Sequence, residues 1–258
     1  MLVSPTISMN VMCNRETVEG KDPTNGYASK ADNWSKNLVL ETMATYNKTF
    51  NRNHSLNVVA AFSYERGDYG NKAMVATGFP QDLTEDFDMS AAVNPQKPTS
   101  GRGMTSLVSF LGRANYNLMN KYLFTASFRR DGSSKFAPGN KWSNFASGAI
   151  AWRASEEQFI KDLNVFSNLK FRASYGQTGN QAIGAYATRD YLTVANYPIN
   201  GALASGFANL TWRGPANPDL KWETTSQYNV GVDMGFFQNR INLTIDLYYK
   251  KTSDLLQN

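Results

Sequence analysis

A protein that carries out chemistry needs nucleophiles, general bases, metal ligands or phosphate cradles, and this sequence offers few of them. Cys13 is the sole cysteine and His54 the sole histidine. Neither an intrachain disulfide nor a Cys/His zinc cluster can be assembled from such a set, and the redox compartment stays open. His54 has no Ser or Cys nucleophile pattern beside it and sits in a short turn, so it reads as a surface histidine. Glu156 and Glu157 are adjacent. On a helix they would project about 100° apart, which suits capping or solvation rather than a glycosidase carboxylate pair. Gly176-Gln177-Thr178-Gly179-Asn180 has the composition of a phosphate loop, but it opens no helix and lacks the Gly-Lys-Ser/Thr ending. It reads as a turn. Arg129-Arg130-Asp131-Gly132-Ser133-Ser134 reads as strand-end chemistry, with Asp and Gly supplying a bend and Arg capping carbonyls; substrate contact is the competing role. No catalytic residue, cofactor site or metal site is expected.

What remains is recognition. A long Gly-, Pro- and Asn-rich stretch carries Tyr186, Tyr191, Tyr197, Phe207 and Trp212 with amides between them. Sugar rings stack their C–H faces on aromatics while amides bond their hydroxyls, so Tyr186, Tyr191, Tyr197 and Trp212 are the candidate substrate residues. A loop of this length also needs a small core of its own, and self-packing is the competing role for the same rings.

The elements that position these residues follow from composition and period. The chain has 258 residues, 18% charged and 13% aromatic, and its formal net charge is +5. A soluble domain averages about 25% charged residues. The aromatic content excludes disorder. The basic excess does not imply nucleic acid, because Arg129-Arg130 runs into Asp131 and Lys250-Lys251 is followed by Asp254, leaving no basic stripe to track phosphates. No run of about 18 apolar residues forms a transmembrane helix. Residues 1 to 14 lack the basic and apolar regions of a signal peptide. The expectation is a cytoplasmic chain or one whose natural start lies upstream.

From residue 37 onward the period is two. Ile241, Leu243, Ile245, Leu247 and Tyr249 alternate with Asn242, Thr244, Asp246, Tyr248 and Lys250, and the segment Tyr228 to Phe236 pairs with it through a turn at 237 to 239. Val108 to Tyr116 and Tyr122 to Phe128 form a second hairpin through 118 to 120. Further strands are expected at about 38 to 49, 55 to 65, 142 to 152 and 169 to 177, making eight. Residues 1 to 36 show no firm period. Ser155-Glu156-Glu157-Gln158 is expected to be a capping box opening one short turn.

The connections alternate in length: short near 50 to 54, 118 to 120 and 237 to 239, intermediate at 153 to 168, and long at 66 to 103, 131 to 141 and 178 to 222. In an up-and-down sheet this gathers the short turns at one end and the long loops at the other, as in membrane β-barrels. Such a barrel shows hydrocarbon an apolar face and keeps Arg113, Arg172 or Asp233 on the other. Tyr116, Tyr122, Trp152, Phe236 and Phe237 lie near the short-turn or intermediate ends and Trp142 and Trp222 at the long-loop ends, which predicts two interfacial girdles; packing at sheet ends is the competing role.

Several longer words sharpen this. Phe110-Leu111-Gly112-Arg113-Ala114-Asn115-Tyr116, Arg129-Arg130-Asp131-Gly132-Ser133-Ser134-Lys135-Phe136, Leu169-Lys170-Phe171-Arg172-Ala173-Ser174-Tyr175-Gly176, Leu220-Lys221-Trp222-Glu223-Thr224 and Tyr248-Tyr249-Lys250-Lys251, in this order over about 105 to 256, resemble the barrel of the SusC/RagA family of TonB-dependent outer-membrane transporters. The resemblance implies an all-β, antiparallel up-and-down barrel that imports oligosaccharide or peptide through the outer membrane of a Gram-negative, Bacteroidetes-like bacterium, with TonB and a SusD-like surface lipoprotein as partners. It implies no enzyme and no nucleic acid. A plug domain, a TonB-contacting segment and a leader are not recognised here. With barrels of this type closing at about 22 strands, eight strands make a partial barrel. Residues 37 to 258 are expected to be that barrel segment, with 1 to 36 unassigned. The competing classes are a soluble carbohydrate-binding β-sandwich and a complete small outer-membrane porin. A sandwich would need polar residues where Leu243, Ile245 and Leu247 line up.

Overall fold

The computed structural model describes residues 2–20, 26–79, 88–189, 192–199, 202–209 and 217–256. Strands dominate it: β1 (Leu2–Gly20), β2 (Tyr27–Phe50), β3 (His54–Thr77), β4 (Asn94–Pro95), β5 (Thr99–Leu118), β6 (Tyr122–Ser133), β7 (Trp142–Arg153), β8 (Phe166–Asn180), β9 (Leu192–Ile199), β10 (Ala202–Asn209), β11 (Glu223–Phe236) and β12 (Ile241–Ser253). The sheet order is β1-β2-β3-β5-β6-β7-β8-β11-β12, with β4 on β3 and a separate β9/β10 ribbon. This is the antiparallel, sequential pairing that the period-two pattern predicts. Each of the eight expected strands is present. The chain divides into two compact units, one of Met1–Pro5, Glu41–Tyr64 and Leu107–Asn258, the other of Thr6–Leu40 and Glu65–Ser106.

In the larger unit the tight turns adopt the left-handed region without glycine. Asn51 and Arg52, Met119 and Asn120, and Phe237, Gln238 and Asn239 all have φ between 46° and 63°. Asparagine tolerates this region better than most residues, and the twist of such a turn matches that of its flanking strands. The turns lie side by side at one end: Met119 N donates to Asn53 O (2.6 Å), and Arg153 N to Lys121 O (2.8 Å). At the opposite end the connections fold back into a small core of Phe136, Phe145, Ile183 and Trp222, with Leu107, Leu220 and Leu256 against it. Trp222 lies 5.0 Å from Phe136 and 5.7 Å, edge-on, from Phe145, and its Nε1 donates to Lys141 O (2.9 Å).

In the smaller unit β2, β3 and β5 continue as strands where loop was expected at 66 to 103 and where 1 to 36 showed no period. Their sequences explain the miss. Around Arg66, Asp68, Asn71 and Lys72 both faces are polar, so backbone pairing persists without an alternating apolar signal. Asp68 pairs with Arg66 (3.0 Å), and the Trp34 and Tyr69 rings lie over Gly70 and Gly103, where a Cβ would meet them at 2.7 and 2.1 Å.

Three local expectations are corrected. The run 176 to 180 is strand, the end of β8, not a turn. Gly179 is there because the Phe145 ring lies on it, at 2.1 Å from where a Cβ would be. Likewise β6 runs on to Ser133, and Gly132 seats the Trp142 ring rather than bending the chain. Arg129 donates to Asp131 (2.7 Å) and Ser109 (3.2 Å) instead of capping carbonyls. The capping box does not form. A 3-10 turn at Ala154–Glu156 leads into the single-turn helix α1 (Gln158–Lys161), neither with a side-chain cap, because Glu157 is drawn to other partners.

Candidate functional site: two faces of one sheet

Register fixes which side chains share a face. Tyr116 opposes Phe124, which opposes Ile150, then Ala173, Val230 and Leu247. This row and its neighbours make an apolar surface that no second layer covers among the described residues: Val230 is 59% exposed and Leu247 73%. Trp152 and Phe171 stack at 5.7 Å near the short-turn end, and Phe166 and Phe236 meet at 5.3 Å. At the long-loop end Trp142 is exposed and stacks on Phe110 at 6.3 Å. Trp222 does not join that girdle; it is 5% exposed and turned into the small core.

The opposite face is largely polar, with Leu111, Leu123, Phe145 and Ala149 among its side chains. Across β2, β3, β5 and β6 runs an amide ladder in which Asn57 donates to Asn47 (2.6 Å), Asn115 to Asn57 (2.9 Å), and Thr125 to Asn115 (2.9 Å). Ser127 and Ser147 meet at 2.6 Å. Across β8, β11 and β12 Arg172 grips Asp233 with two bonds (3.0 and 3.1 Å) and Asp246 with a third (3.0 Å). Gly231 makes room for this cluster, since a Cβ there would sit 2.5 Å from Asp246 Oδ1. Farther along, Ser147, Ser174, Thr225, Gln227, Asn229 and Lys250 line a furrow of about 360 Å³. Such a wall can hydrogen-bond hydroxyls, amides and carboxylates along its length.

At the short-turn end Glu157 collects three donors: Lys121 Nζ (2.8 Å), Tyr122 Oη (2.8 Å) and Trp152 Nε1 (3.4 Å). The Lys121 ammonium, with the Tyr122 hydroxyl, holds its carboxyl below the usual glutamate range, and Lys121 is raised in return. Glu156 pairs separately with Lys161 (2.9 Å). His54, the expected surface histidine, is half-buried with Nδ1 2.5 Å from the Tyr116 hydroxyl.

Of the loop aromatics, Tyr186 has φ 62° and the Arg189 guanidinium over its ring at 5.7 Å. Tyr197 lies on β9, with its backbone opposite Ala204, and Tyr191 and Trp212 lie outside the described residues. The Glu157 quartet was invisible to sequence reasoning, because its members belong to three elements whose register is needed to join them. The Arg172 cluster had a signal: opposite charges at same-face positions of neighbouring strands.

An antiparallel sheet with an exposed apolar face, a hydrogen-bonding face on which Arg172 pairs with Asp233 and Asp246 across three strands, and short turns gathered at one end is the wall of a membrane β-barrel. Comparison with known proteins narrows this: the chain belongs to the TonB dependent receptor-like β-barrel family, which it matches over residues 7–258. It is 38% identical over 225 residues to TonB-dependent receptor P3 of Formosa agariphila, covering 85% of this chain and 22% of that protein. It is 44% identical over 156 residues to TonB-dependent receptor SusC of Bacteroides thetaiotaomicron, covering 58% of this chain and 15% of SusC. Among solved structures, that of the RagAB peptide transporter superposes with a TM-score of 0.86 at 25% identity, covering 98% of this chain and 28% of that one. The chain therefore spans about a fifth of the length of the relatives P3 and SusC.

Proposed function

We propose that this chain forms part of the barrel wall of an outer-membrane, TonB-energised importer of oligosaccharide or peptide, working with a SusD-like surface lipoprotein. The observation that carries the reading is the opposition of the two faces. In a soluble sandwich the row ending at Val230 and Leu247 would be buried under a second sheet; here it is exposed, while the Arg172, Asp233 and Asp246 cluster lies on the other side. A complete small porin is disfavoured by length, since the relatives it matches are several times longer. Residues 37 to 258 are read as barrel, with β1 extending the same sheet. Import involves no bond making in this wall, so the chain is read as a non-enzyme without cofactor or nucleic-acid partner.

The test is cellular. The protein expressed from its natural reading frame should fractionate with outer membrane and migrate faster on a gel unboiled than boiled. Its deletion or depletion of TonB should abolish growth on the one oligosaccharide or peptide mixture it imports. High-yield recovery in the cytosolic fraction would sink the reading. Within the long loop, Tyr186, Tyr191, Tyr197 and Trp212 are proposed to stack on cargo. Each change to Ala should weaken cargo affinity about fivefold. Increased loop proteolysis with unchanged affinity would assign these rings to loop packing instead.

A further inference from the structure

The outward apolar face is not uniform. Ala114, Ala126 and Gly148 stand in register on β5, β6 and β7, and Ala173 continues the line one row over on β8. Large side chains stand on either side. Phe124, stacked on Tyr116 at 6.3 Å, and Ile150 wall the β5 to β7 part on one side, and Tyr175, in register with Gly148 and in contact with Tyr228 at 4.7 Å, walls the Ala173 part on the other. Between them lies an apolar furrow of about 620 Å³. From β5 to β11 it crosses four strand gaps, about 19 Å, which at a strand tilt near 45° spans about 13 Å of depth, comparable to the ~15 Å of one leaflet's hydrocarbon.

Its height on the wall follows from strand geometry. Tyr175 is nine residues beyond Phe166, where β8 leaves the short-turn end. At about 3.3 Å per residue and a tilt near 45° this places it about 21 Å above that end, in the upper part of a belt about 25 Å tall. The furrow is continuous with the apolar surface that the barrel reading presents to lipid, and it sits toward the long-loop side. It contains no charged side chain, and the two tyrosine hydroxyls at its upper wall suit the level of ester and headgroup oxygens.

We propose that this furrow is a lipid site that seats one acyl chain of an outer-leaflet lipid, held in place longer than the chains on the rest of the belt. The proposal rests on the membrane-barrel reading above. The small residues of the floor let a methylene chain approach the backbone, and it passes diagonally between the Tyr116/Phe124 pair on one side and the Tyr175/Tyr228 pair on the other, giving it more contacts than a convex surface offers. Ile245 and Leu247 of the belt on β12 do not line it.

The test uses the protein expressed from its natural reading frame, reconstituted in phosphatidylethanolamine/phosphatidylglycerol vesicles doped with phosphatidylcholine carrying a diazirine in its acyl chain. After irradiation, adducts are mapped by mass spectrometry. Several-fold more adduct at Tyr175 and Tyr228 than at Ile245 and Leu247 is expected. Gly148→Leu or Ala126→Leu should remove the excess while leaving the β12 signal; Gly148 has room, its nearest atom to a new Cβ being Thr125 O at 3.8 Å. The wild-type ratio needs neither variant. Equal labelling of furrow and β12 overturns the site and leaves the membrane reading standing. Absence of lipid adducts from both overturns the site together with that reading. Protein–protein crosslinks at the furrow in place of lipid adducts assign it to a second copy and also overturn the proposal.

Discussion

Gly179→Ala should destabilise the long-loop end of the wall, and the reason is one ring. A Cβ at 179 would lie 2.1 Å from Phe145 Cζ. Carbon atoms rest at about 3.5 Å or more, so the ring must retreat by about 1.4 Å. Phe145 cannot do so freely, because it is 5% exposed and packed edge-on against Trp222, which in turn packs on Phe136. Overpacking of this kind costs about 1–3 kcal/mol. The double-mutant cycle isolates the cause. In a Phe145→Ala background the obstacle is gone, and alanine in a strand is favoured over glycine by about 0.5–1 kcal/mol, so Gly179→Ala should turn neutral or stabilising there. The assay is the denaturant midpoint of the lipid-reconstituted protein, with proteolysis of 181 to 222 as a local readout. An equal loss in both backgrounds would refute the reasoning and return Gly179 to a backbone role.

Leu247→Arg reads the membrane face directly. Leu247 is six residues past Ile241 and lies near the middle of the belt, where a cation costs about 2–4 kcal/mol in a bilayer; no loss of folding yield into vesicles would count against lipid exposure. Glu157→Gln should show its cost at neutral pH and lose it in acid. The folded carboxyl is depressed, so between the folded and unfolded values the unfolded chain binds more protons. Stability from this group is complete above the ordinary glutamate range and vanishes as pH falls through the lower folded value, so wild type and variant should converge in midpoint there. Arg172→Leu should lower the midpoint more than Asp246→Asn, because it leaves Asp233 and Asp246 facing each other without their cation. The triple change with Asp233→Asn and Asp246→Asn should recover part of the loss, and identical midpoints for single and triple variants would argue against the cluster.

The sequence made the membrane-spanning part of the wall legible because lipid imposes a strict rule there. Every second side chain from Ile241 to Tyr249 must be apolar, and the segment is found as β12 with a matching start. The rule lapses outside the membrane. Strand pairing in β3 continues to Thr77, but polar residues occupy both parities around Arg66, Asp68, Asn71 and Lys72, so nothing in Arg66 to Lys72 alternates. The same lapse hid β9 and β10 in the stretch that carries Tyr197. Glycines misled for a related reason. In Gly132 and Gly179 the missing side chain serves a neighbouring ring across the sheet, and a composition rule that equates glycine with turns cannot see across strands.

That cross-strand use of glycine also bears on how the two faces stay distinct. The outward Trp142 lies over its register partner Gly132, and the inward Phe145 lies over Gly179 of the next strand, each where a Cβ would obstruct the ring. Trp142 thereby stays within reach of Phe110 on the apolar face, and the Arg130 guanidinium lies 5.3 Å from its ring, where an interfacial cation–π contact suits the level at which hydrocarbon gives way to water. Phe145 on the other face instead anchors the core that folds the long connections back over the polar wall. One device, a ring laid over a glycine, therefore serves the membrane boundary on one side of the sheet and the ordering of the loop end on the other, and the alternation of period two decides which side each ring serves.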